Sequence, residues 1–542
     1  MENHSLDYLI RRIERLNSIG AALSAEQGIE SLLEMILLGA KELTNADGGS
    51  LYLLSGQQLR FELIHTSSLG IHMGGPTGQP ITFPPIELFH QDSTPNLNNV
   101  ATRAVHEDRL INIADAYATD EYDFSGTRAF DARTGYHSGS FLTVPMKNHE
   151  GKIIGVLQLI NATDQESGQT IPFSNADESL VSSLASQAAI ALTRKRLIDG
   201  LEDLLQSLVK LIANAIDDKS PHTGGHCRRV PLITMALAEG VNLDDGPVYG
   251  DTRFSDREMK ELEMAAWLHD CGKITTPEYV VDKQTKLETL FDRIHLVKAR
   301  CNILRREAEL AHQRGVASSV QKNSSPLRPL EQTLGEIDDI ENFIANCNIG
   351  GEFLGDDKIA RIEQSSSYLG LLGEDSLATP LLSAEEVANL SIRKGTLTDE
   401  ERDKINHHVV VSIQMLSTLP FPDHLKNVAE IAGGHHERMD GKGYPRGIRA
   451  GELPVQARIL AVADIFEALT ASDRVYRKPN KLSEALRIMA LMCKDGHIDP
   501  ELLDILLRHK AYADYAHEQM KAEQIDEVDI EKLREIYQTP SK

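Results

Sequence analysis

The second half of this sequence contains five separated segments in which a histidine or an aspartate lies beside or within an apolar helical pattern. Together they supply five imidazoles and two carboxylates, but no thiolate: His226, His269, Asp270, His408, His435, His436 and Asp464. This mixture suits Fe, Mn, Zn or Ni, whereas Ca²⁺ and Mg²⁺ favour mostly oxygen ligands. Seven ligands exceed what one ion needs. We therefore expect two divalent ions roughly 3.5–4 Å apart, bridged by Asp270.

Taken singly, each segment also fits a structural role, and a lone histidine such as His226 is usually part of a core. Core packing does not readily explain why all seven histidines and aspartates occur together. Five helices would each direct an imidazole or a carboxylate inward, where unpaired polar groups are costly.

The helix that carries His269 has a defined start and a defined inner face. Ser255 and Glu258 form a capping box, so the helix is expected to begin there. One face then contains Met259, Leu262, Ala266 and His269. His269 therefore points inward with Asp270 beside it, and a buried carboxylate next to a buried imidazole needs a compensating cation.

A second capping box, Thr398 with Glu401, starts the helix of residues 399–416. Its inner face contains Ile405, His408, Ser412 and Met415, which selects His408 over His407 as the inward imidazole.

His435 and His436 end a further helix-like run before a Gly-rich turn, DGKGYP. Asp464 lies inside the apolar run ILAVADIFEAL and requires a partner.

The first half of the chain has a different pattern, which predicts an α+β domain. Helical periodicity at residues 5–18 and 26–44 precedes two strand pairs, at residues 48–65 and 141–161. A long polar stretch, about 66–138, is expected to separate the two strand pairs as a loop. This order of elements is typical of sensor domains.

A long helix is predicted between the two halves. From about 175 to 217 the sequence is helical in pattern, with an apolar seam formed by Ile198, Leu201, Leu205, Leu208 and Ile212. Residues spaced three and four apart form coiled-coil seams. We interpret it as a connecting helix that pairs with a second subunit; an internal bundle helix is the alternative.

Beyond residue 218 the periodicity predicts an almost entirely helical domain. Residues 285–395 contain none of the segments above and are interpreted as an insertion. Within them, 315–330 is rich in Ser, Asn and Pro and is predicted to be an exposed loop. The charged tail after 515 is expected to form a surface helix or to fray.

Composition limits the classes of partner. The net charge of −25 argues against a nucleic-acid surface and against adhesion to anionic lipid. The five cysteines lie far apart, as expected for reduced thiols. The N-terminus lacks a signal-peptide apolar region, and no stretch reaches the ~18 apolar residues of a membrane span. We therefore expect a soluble cytoplasmic protein.

The histidine-containing segments resemble the HD-GYP family of cyclic di-GMP phosphodiesterases, a branch of the HD metal phosphohydrolases. His269-Asp270 with Gly272-Lys273 is similar to the HDxGK signature. The segment HHERMDGKGYP, from His435 to Pro445, matches the HHExxDGxGYP signature in full. The resemblance covers about 205–510, apart from the insertion, and implies an all-α HD-type domain.

By position, the resemblance implies a role for each residue. His226, His269, Asp270 and Asp464 would hold one metal, and Asp270, His408, His435 and His436 the other. Fe and Mn are the favoured ions, with Ni and Zn as alternatives. Lys273 would contact a substrate phosphate with the help of Arg474 and Lys478, and Tyr444 would shape the pocket. Asp270 and Lys273 are thus the expected catalytic residues.

The sequence departs from the family pattern in two places. His222 stands where members with a third metal carry Glu, which favours two metals over three. After His408 the family usually has Pro and then Gly; here these are Val409 and Ser412. Because Ser is small enough for close packing, activity is expected to persist.

The region of about 20–192 resembles a GAF domain. VPMKNHEGKIIGVLQLIN is similar to its strand pair, and INIADAYATDEYDFSGTRAFDARTGY is similar to phosphodiesterase GAF regions. Asp131 is followed by Ala132, and the Asn-Lys part of the cyclic-nucleotide set is not evident. A cyclic-nucleotide ligand, another small ligand, and a purely structural or dimerising role all remain open.

These patterns predict a multidomain chain that hydrolyses cyclic di-GMP to pGpG, GMP or both, under control of the GAF domain. The alternatives are another cyclic dinucleotide, such as cyclic GMP-AMP, or a non-catalytic dinucleotide receptor. A homodimer through the connecting helix is expected. The expected parts are an N-terminal helix (1–19), the GAF domain (20–192), the connecting helix (176–217), the phosphodiesterase domain (205–515) and a tail (516–542).

Overall fold

The structure is a computed structural model that describes residues 2–26, 28–164, 166–219, 224–318, 329–351, 353–366, 380–472 and 479–538. The chain forms two compact units, Met1–Leu204 and Leu205–Lys542. None of the helices in the described ranges is both long and apolar enough to cross a bilayer. The domain boundaries expected from the sequence stay a proposal.

The N-terminal unit is built on one antiparallel sheet. Its strands are β1 (Ala46–Ser55), β2 (Gln58–Thr66), β3 (Ile71–Gly74), β4 (Ile86–Glu87), β5 (Ile111–Ile113), β6 (Phe141–Lys147), β7 (Ile153–Thr163) and β8 (Thr170–Ile171). The order is β3-β2-β1-β7-β6-β5, with β4 on β2 and β8 on β7. Its helices are α1 (Glu2–Ala25), α2 (Ile29–Thr44), α3 (Val100–His106), α4 (Ser125–Thr134) and the first part of α5 (Asn175–Lys219).

Both predicted strand pairs are confirmed. β1 pairs with β2 across a turn in which Gly56 has a φ of +60°, and β6 pairs with β7 across a turn in which Gly151 has a φ of +76°. Left-handed backbone favours glycine at such positions. The apolar face of α2 packs with α1 and α5 on this sheet, around residues such as Ile36 and Leu37.

The prediction of one long loop at 66–138 is wrong. This stretch contains β3, β4, β5, α3 and α4. The side chain of Asn99 caps α3 by accepting hydrogen bonds from the backbone N–H groups of Ala101 and Thr102. Short elements of this kind are stabilised by caps and by neighbouring strands, so their sequences carry little periodicity.

Helix α5 is 45 residues long. Its first half buries residues such as Leu184 in the core of the N-terminal unit, and its last turns bury Val209 and Ala213 in the core of the C-terminal unit. Most of the predicted seam is exposed in the single chain, at 65% for Leu201 and 47% for Leu208. An apolar helical stripe of this kind remains available to a second chain.

The C-terminal unit is helical in the residues described. After the end of α5 its helices are α6 (His226–Leu243), α7 (Asp256–Leu268), α8 (Glu278–Val281), α9 (Ile294–Ser318), α10 (Leu330–Asn348), α11 (Asp356–Ser366), α12 (Ala384–Leu390), α13 (Asp399–Ser417), α14 (Val428–Gly433), α15 (Val455–Thr470), α16 (Leu482–Lys494), α17 (Pro500–Arg508), α18 (Ala511–Gln519) and α19 (Ile530–Gln538). Both capping boxes, at Ser255 and Thr398, are confirmed at the starts of α7 and α13.

Residues 285–395, which the sequence analysis interprets as an insertion, have a small core of their own, in which Val297, Ile337 and Ile344 are buried. The predicted loop at 315–330 is partly wrong, because α9 continues to Ser318 and α10 begins at Leu330. No proline precedes Pro326 in this stretch. Residues 319–328 lie outside the described residues.

The tail after 515 forms a surface helix, which was one of the two alternatives expected. Leu533 of α19 is buried, and Ile530 and Ile536 pack against the core of the C-terminal unit. The spacing of three residues between them places these side chains on one helix face.

Candidate metal centre

All seven predicted ligands lie within the described residues and converge in the C-terminal unit. Five chain segments deliver them: the first residue of α6 (His226), the residues after α7 (His269, Asp270), the middle of α13 (His408), the residues after α14 (His435, His436) and the middle of α15 (Asp464). The sequence therefore brings together side chains that are up to 238 positions apart, between His226 and Asp464.

The first group consists of His226, His269 and Asp464, whose ligand atoms all lie within 4.8 Å of one another. Nε2 of His226 is 3.3 Å from Oδ1 of Asp464 and 3.3 Å from Nε2 of His269. All three side chains are buried. Two imidazoles and a carboxylate around one point form a plausible set for Fe, Mn, Zn or Ni.

The second group consists of His408, His435 and His436, again with ligand atoms within 4.8 Å. His408 is 3% exposed, whereas the neighbouring His407 is exposed to solvent. The ring of His436 stacks on Tyr444 with a centroid separation of 4.8 Å. This contact places Tyr444 at the edge of the second group.

Asp270 lies between the two groups and directs one oxygen to each. Its Oδ2 is 3.3 Å from Nε2 of His226 and 3.3 Å from Nε2 of His269. Its Oδ1 is 3.2 Å from Nε2 of His408 and 3.9 Å from Nε2 of His435. A buried carboxylate with this arrangement is suited to be shared by two cations.

Three of the imidazoles are oriented by hydrogen bonds at Nδ1, the ring nitrogen that points away from the centre. Nδ1 of His269, of His408 and of His435 lies 2.8, 2.5 and 2.5 Å from the carbonyl oxygen three residues earlier. A carbonyl oxygen can only accept, so each Nδ1–H donates to it. This fixes the tautomer in which the lone pair of Nε2 points into the centre, as metal-ligating histidines require.

His226 is oriented by a residue that the sequence analysis missed. Its Nδ1 lies 2.5 Å from Oε2 of Glu467, whose side chain is fully buried and also accepts a 2.7 Å hydrogen bond from Nε of Arg229. Glu467 follows Asp464 by three residues on α15. A second carboxylate in the same apolar run was the signal that pointed to it.

Three buried atoms in the centre have no hydrogen-bond partner among the described residues: Oδ1 of Asp270, Nε2 of His408 and Nε2 of His435. A buried acceptor without a partner costs about 1–3 kcal/mol, and more when charged. All three are acceptors directed to the second group. A cation is the partner that satisfies them together, so the residues present fit a metal.

Electrostatics keeps Asp270, His435 and His436 in the protonation states that metals bind. Burial opposes ionisation of Asp270, but the charges of Lys273 and His269 outweigh it and hold the pKa of Asp270 well below its usual range. Burial and the neighbouring His436 lower the pKa of His435, and burial lowers that of His436 to about 4. Both imidazoles are thus neutral at pH 7 and able to ligate.

Two further predicted site residues adjoin the centre. Nζ of Lys273 lies 2.5 Å from Oδ2 of Asp270, and 23% of the Lys273 side chain is exposed. Burial raises the pKa of Tyr444, so its hydroxyl stays protonated. The turn that carries Tyr444 is held by Glu437, which accepts hydrogen bonds from the backbone N–H groups of Arg446 and Ile448. Three other predicted positions, His222, Arg474 and Lys478, lie outside the described residues.

Helix α13 packs against the turn after Asp270 at backbone distance. A Cβ atom on Gly272 would lie 2.0 Å from the carbonyl oxygen of His408. The hydroxyl of Ser412 accepts a 2.8 Å hydrogen bond from the Gly272 N–H. The serine that departs from the family pattern therefore takes part in this contact.

Comparison with known proteins agrees with this geometry. A family model for the GAF domain matches residues 28–192, and two models for the HD domain match residues 223–346 and 382–502. The chain carries a GAF domain and an HD domain. The candidate metal centre lies in the HD domain, since the two HD matches include all seven ligands.

Several curated proteins are similar to part of this chain. One is "3'3'-cGAMP-specific phosphodiesterase 1" of Vibrio cholerae, 36% identical over 27% of this chain and 32% of that protein. Another is "Cyclic di-GMP phosphodiesterase" of Thermotoga maritima, 39% identical over 25% of this chain and 37% of that protein. A third is "Cyclic di-GMP phosphodiesterase response regulator RpfG" of Xanthomonas campestris, 30% identical over 40% of this chain and 59% of that protein. The matches thus span less than two thirds of each relative.

Proposed function

We propose that the HD domain hydrolyses the phosphodiester bonds of cyclic di-GMP, giving pGpG, GMP or both, with two divalent ions held by the seven residues of the metal centre. One observation carries the proposal: Asp270 directs Oδ2 to His226 and His269, and Oδ1 to His408. The names of relatives such as those of Thermotoga maritima and Xanthomonas campestris support the choice of substrate.

In the proposed assignment, His226, His269, Asp270 and Asp464 hold one ion, and Asp270, His408, His435 and His436 hold the other. Fe and Mn are the favoured ions, with Ni and Zn as alternatives. A pair of divalent ions supplies Lewis acidity for a phosphoryl group and lowers the pKa of water at neutral pH. The donor set of nitrogen and carboxylate oxygen supports these ions over Ca²⁺ or Mg²⁺.

Lys273 and Tyr444 act on the substrate in this proposal. Lys273 pairs with Asp270 in the free protein, and its partial exposure lets the ammonium group reach a phosphate oxygen. There it offsets charge that develops during bond cleavage. Tyr444 is held against His436 and limits the width of the pocket on that side. Arg474 and Lys478 are proposed as further phosphate contacts from sequence position alone.

Hydrolysis of cyclic GMP-AMP is the second candidate within the same chemistry. A specific observation favours keeping it: one of the similar proteins carries the name of a cGAMP-specific phosphodiesterase and is 36% identical. A non-catalytic dinucleotide receptor is the alternative from another class. It has no need for buried atoms arranged to hold two cations, so the centre favours an enzyme.

The remaining expectations concern regulation and assembly. We propose that the GAF domain controls the HD domain through a small ligand. The identity of this ligand is open. Asp131, the residue that resembles part of the cyclic-nucleotide set, already accepts hydrogen bonds from Tyr117 and Ser138 within the protein. The exposed seam of α5, including Leu201 and Leu208, supports a homodimer. The five cysteines are free and buried, which supports a reducing, cytoplasmic location.

Turnover by anaerobically purified, metal-loaded full-length protein tests the function. Cyclic di-GMP and cyclic GMP-AMP are supplied separately at equal concentration, and products are resolved by chromatography. The proposal expects faster hydrolysis of cyclic di-GMP by the native chain and none by Asp270→Ala. Faster hydrolysis of cyclic GMP-AMP would select the second candidate, and tight binding without turnover of either would select the receptor.

A further inference from the structure

The last turn of α5 carries two charged side chains that the metal centre does not use as ligands. Ala213 and Ile216 of this part of the helix are buried in the core of the C-terminal unit. Asp217 is 3% exposed, and Lys219, the final residue of the helix, is half-buried. A buried charge is costly unless it has partners, so the partners of these two residues indicate what they do.

Lys219 holds the turn that carries Lys273. Its Nζ donates hydrogen bonds to the carbonyl oxygens of Ile274 at 2.5 Å, Thr276 at 2.8 Å and Lys273 at 3.3 Å. These carbonyl groups lie at the end of the 3₁₀-helix Cys271–Thr275, where a lysine side chain is a suitable partner. An ammonium has three N–H donors, so this set uses all of them.

Asp217 caps the start of α6, whose first residue is the predicted ligand His226. Its Oδ1 accepts a 3.1 Å hydrogen bond from the backbone N–H of Cys227. The first N–H groups of a helix have no partner within it, and a carboxylate there also complements the helix dipole. Gly225, at the cap position, has no side chain that could accept this bond. Asp217 therefore supplies from another helix the cap that the local sequence lacks.

One helix end thus contacts both the segment that begins with His226 and the turn that directly follows Asp270. Because a hydrogen bond weakens steeply when its geometry is lost, the position of these segments depends on the position of this helix end. Helix α5 is continuous from Asn175, and its first half buries Leu184 in the core of the N-terminal unit. A rigid helix can carry a displacement along its length.

We propose that Asp217 and Lys219 are positioning residues for the metal centre. Asp217 sets the place of His226, and Lys219 sets the place of the turn with Lys273. The inference rests on the proposed function, because it concerns the placement of the same site. It also names where the connecting helix acts on the HD domain: at the segments that deliver the ligands.

Chelator competition on the full-length, metal-loaded protein tests Asp217 without any substrate. Asp217→Ala removes the acceptor of the Cys227 N–H and should lower metal affinity about tenfold, the lower end of the loss expected for partners that orient metal ligands. Asp217→Asn keeps a capping oxygen at the same place and should retain native affinity. Asp218→Ala, at the exposed neighbouring residue, is the matched control and should also retain it.

Steady-state hydrolysis of cyclic di-GMP tests Lys219. Lys219→Met removes the three hydrogen bonds to the turn with Lys273. Its kcat should fall about tenfold or more with a smaller change in KM, because misplacing a reacting group by about 1 Å can cost a hundredfold in rate. Lys219→Arg keeps a cation that donates to carbonyl groups and should recover most of the native kcat. Lys210→Met, at an exposed lysine of the same helix, should leave kcat unchanged.

Circular dichroism checks the fold of every variant, and should Asp217→Ala not fold, Lys219→Met alone decides the inference. Native metal affinity in folded Asp217→Ala would overturn the role of Asp217, as would an equal loss in Asp217→Asn. Native kcat in Lys219→Met would overturn the role of Lys219.

Failure of this inference differs from failure of the proposed function. A native chain that binds metal but does not hydrolyse cyclic di-GMP would overturn the proposed substrate, while chelator competition would still decide the role of Asp217. A native chain that binds no metal would overturn both.

Discussion

Oδ1 of Asp270 lies 3.2 Å from Nε2 of His408, and neither atom has a hydrogen-bond partner among the described residues. Because the carbonyl oxygen of Ile405 fixes the proton of His408 on Nδ1, both facing atoms are acceptors. Two buried acceptors at this distance repel each other unless a cation lies between or beside them. This pair is why we assign the second metal to Asp270 together with His408.

Substitution of His408 should remove one metal ion, whereas substitution of the neighbouring His407 should not. His408→Ala deletes a buried ligand, so metal content should fall from two ions per chain toward one. Turnover should fall at least about a hundredfold, because the Lewis acidity of an ion is worth several kcal/mol. His407 is exposed on the same helix, so His407→Ala is the matched control. Elemental analysis with turnover measures both, and equal effects of the two variants would refute the assignment.

Glu467→Gln should lower the metal affinity of the group formed by His226, His269 and Asp464 without removing a ligand. Glu467 holds Nδ1 of His226, and loss of such an orienting carboxylate typically lowers metal affinity about 10–100-fold. The control is Glu261→Gln, another buried glutamate, which binds Asn427 instead. Competition with a chelator measures affinity. Equal chelator sensitivity in the two variants would show that Glu467 only supports the fold.

Gly272→Ala should destabilise the HD domain. The new Cβ would meet the backbone of α13 rather than a flexible side chain, and overpacking of this kind costs about 1–3 kcal/mol. Gly335→Ala, where a Cβ on α10 meets no atom within 4 Å, should stabilise by about 0.5–1 kcal/mol. Fluorescence of Trp267, the single tryptophan, reports unfolding of this unit. The account fails here if both variants shift stability in the same direction.

Lys41→Met should change how the stability of the N-terminal unit depends on pH. Burial lowers the pKa of Lys41 from 10.5 to about 8, while its ammonium lies 2.5 Å from Nδ1 of His65. Between these two pH values the unfolded state binds more protons, so the stability of the native chain rises with pH there.

Lys41→Met should lack the rise in stability between about pH 8 and pH 10.5. At pH 7 it should be more stable than the native chain. Hydrogen exchange of β2 amides across pH 7–11 measures it. A rise of equal size in both proteins would assign the dependence to another group.

The sequence predicted the parts of the fold that local chemistry controls. Capping residues set the starts of α7 and α13, and helical periodicity placed His269 and His408 on inner faces. Turn residues such as Gly56 set the hairpin β1–β2.

Other features depend on contacts between distant residues and could not be predicted in this way. The two-residue strand β4 exists only because it pairs with β2. Glu467 meets His226 across 241 positions of sequence.

The number of ions per chain, measured by elemental analysis after anaerobic purification, tests the central claim most directly. Native protein should contain two divalent ions per chain. Asp270→Ala should retain at most one and should not hydrolyse cyclic di-GMP, because each ion loses a shared ligand. Native protein with a single ion, or an Asp270→Ala variant that keeps two ions and full turnover, would contradict the bridging role of Asp270 and with it the account.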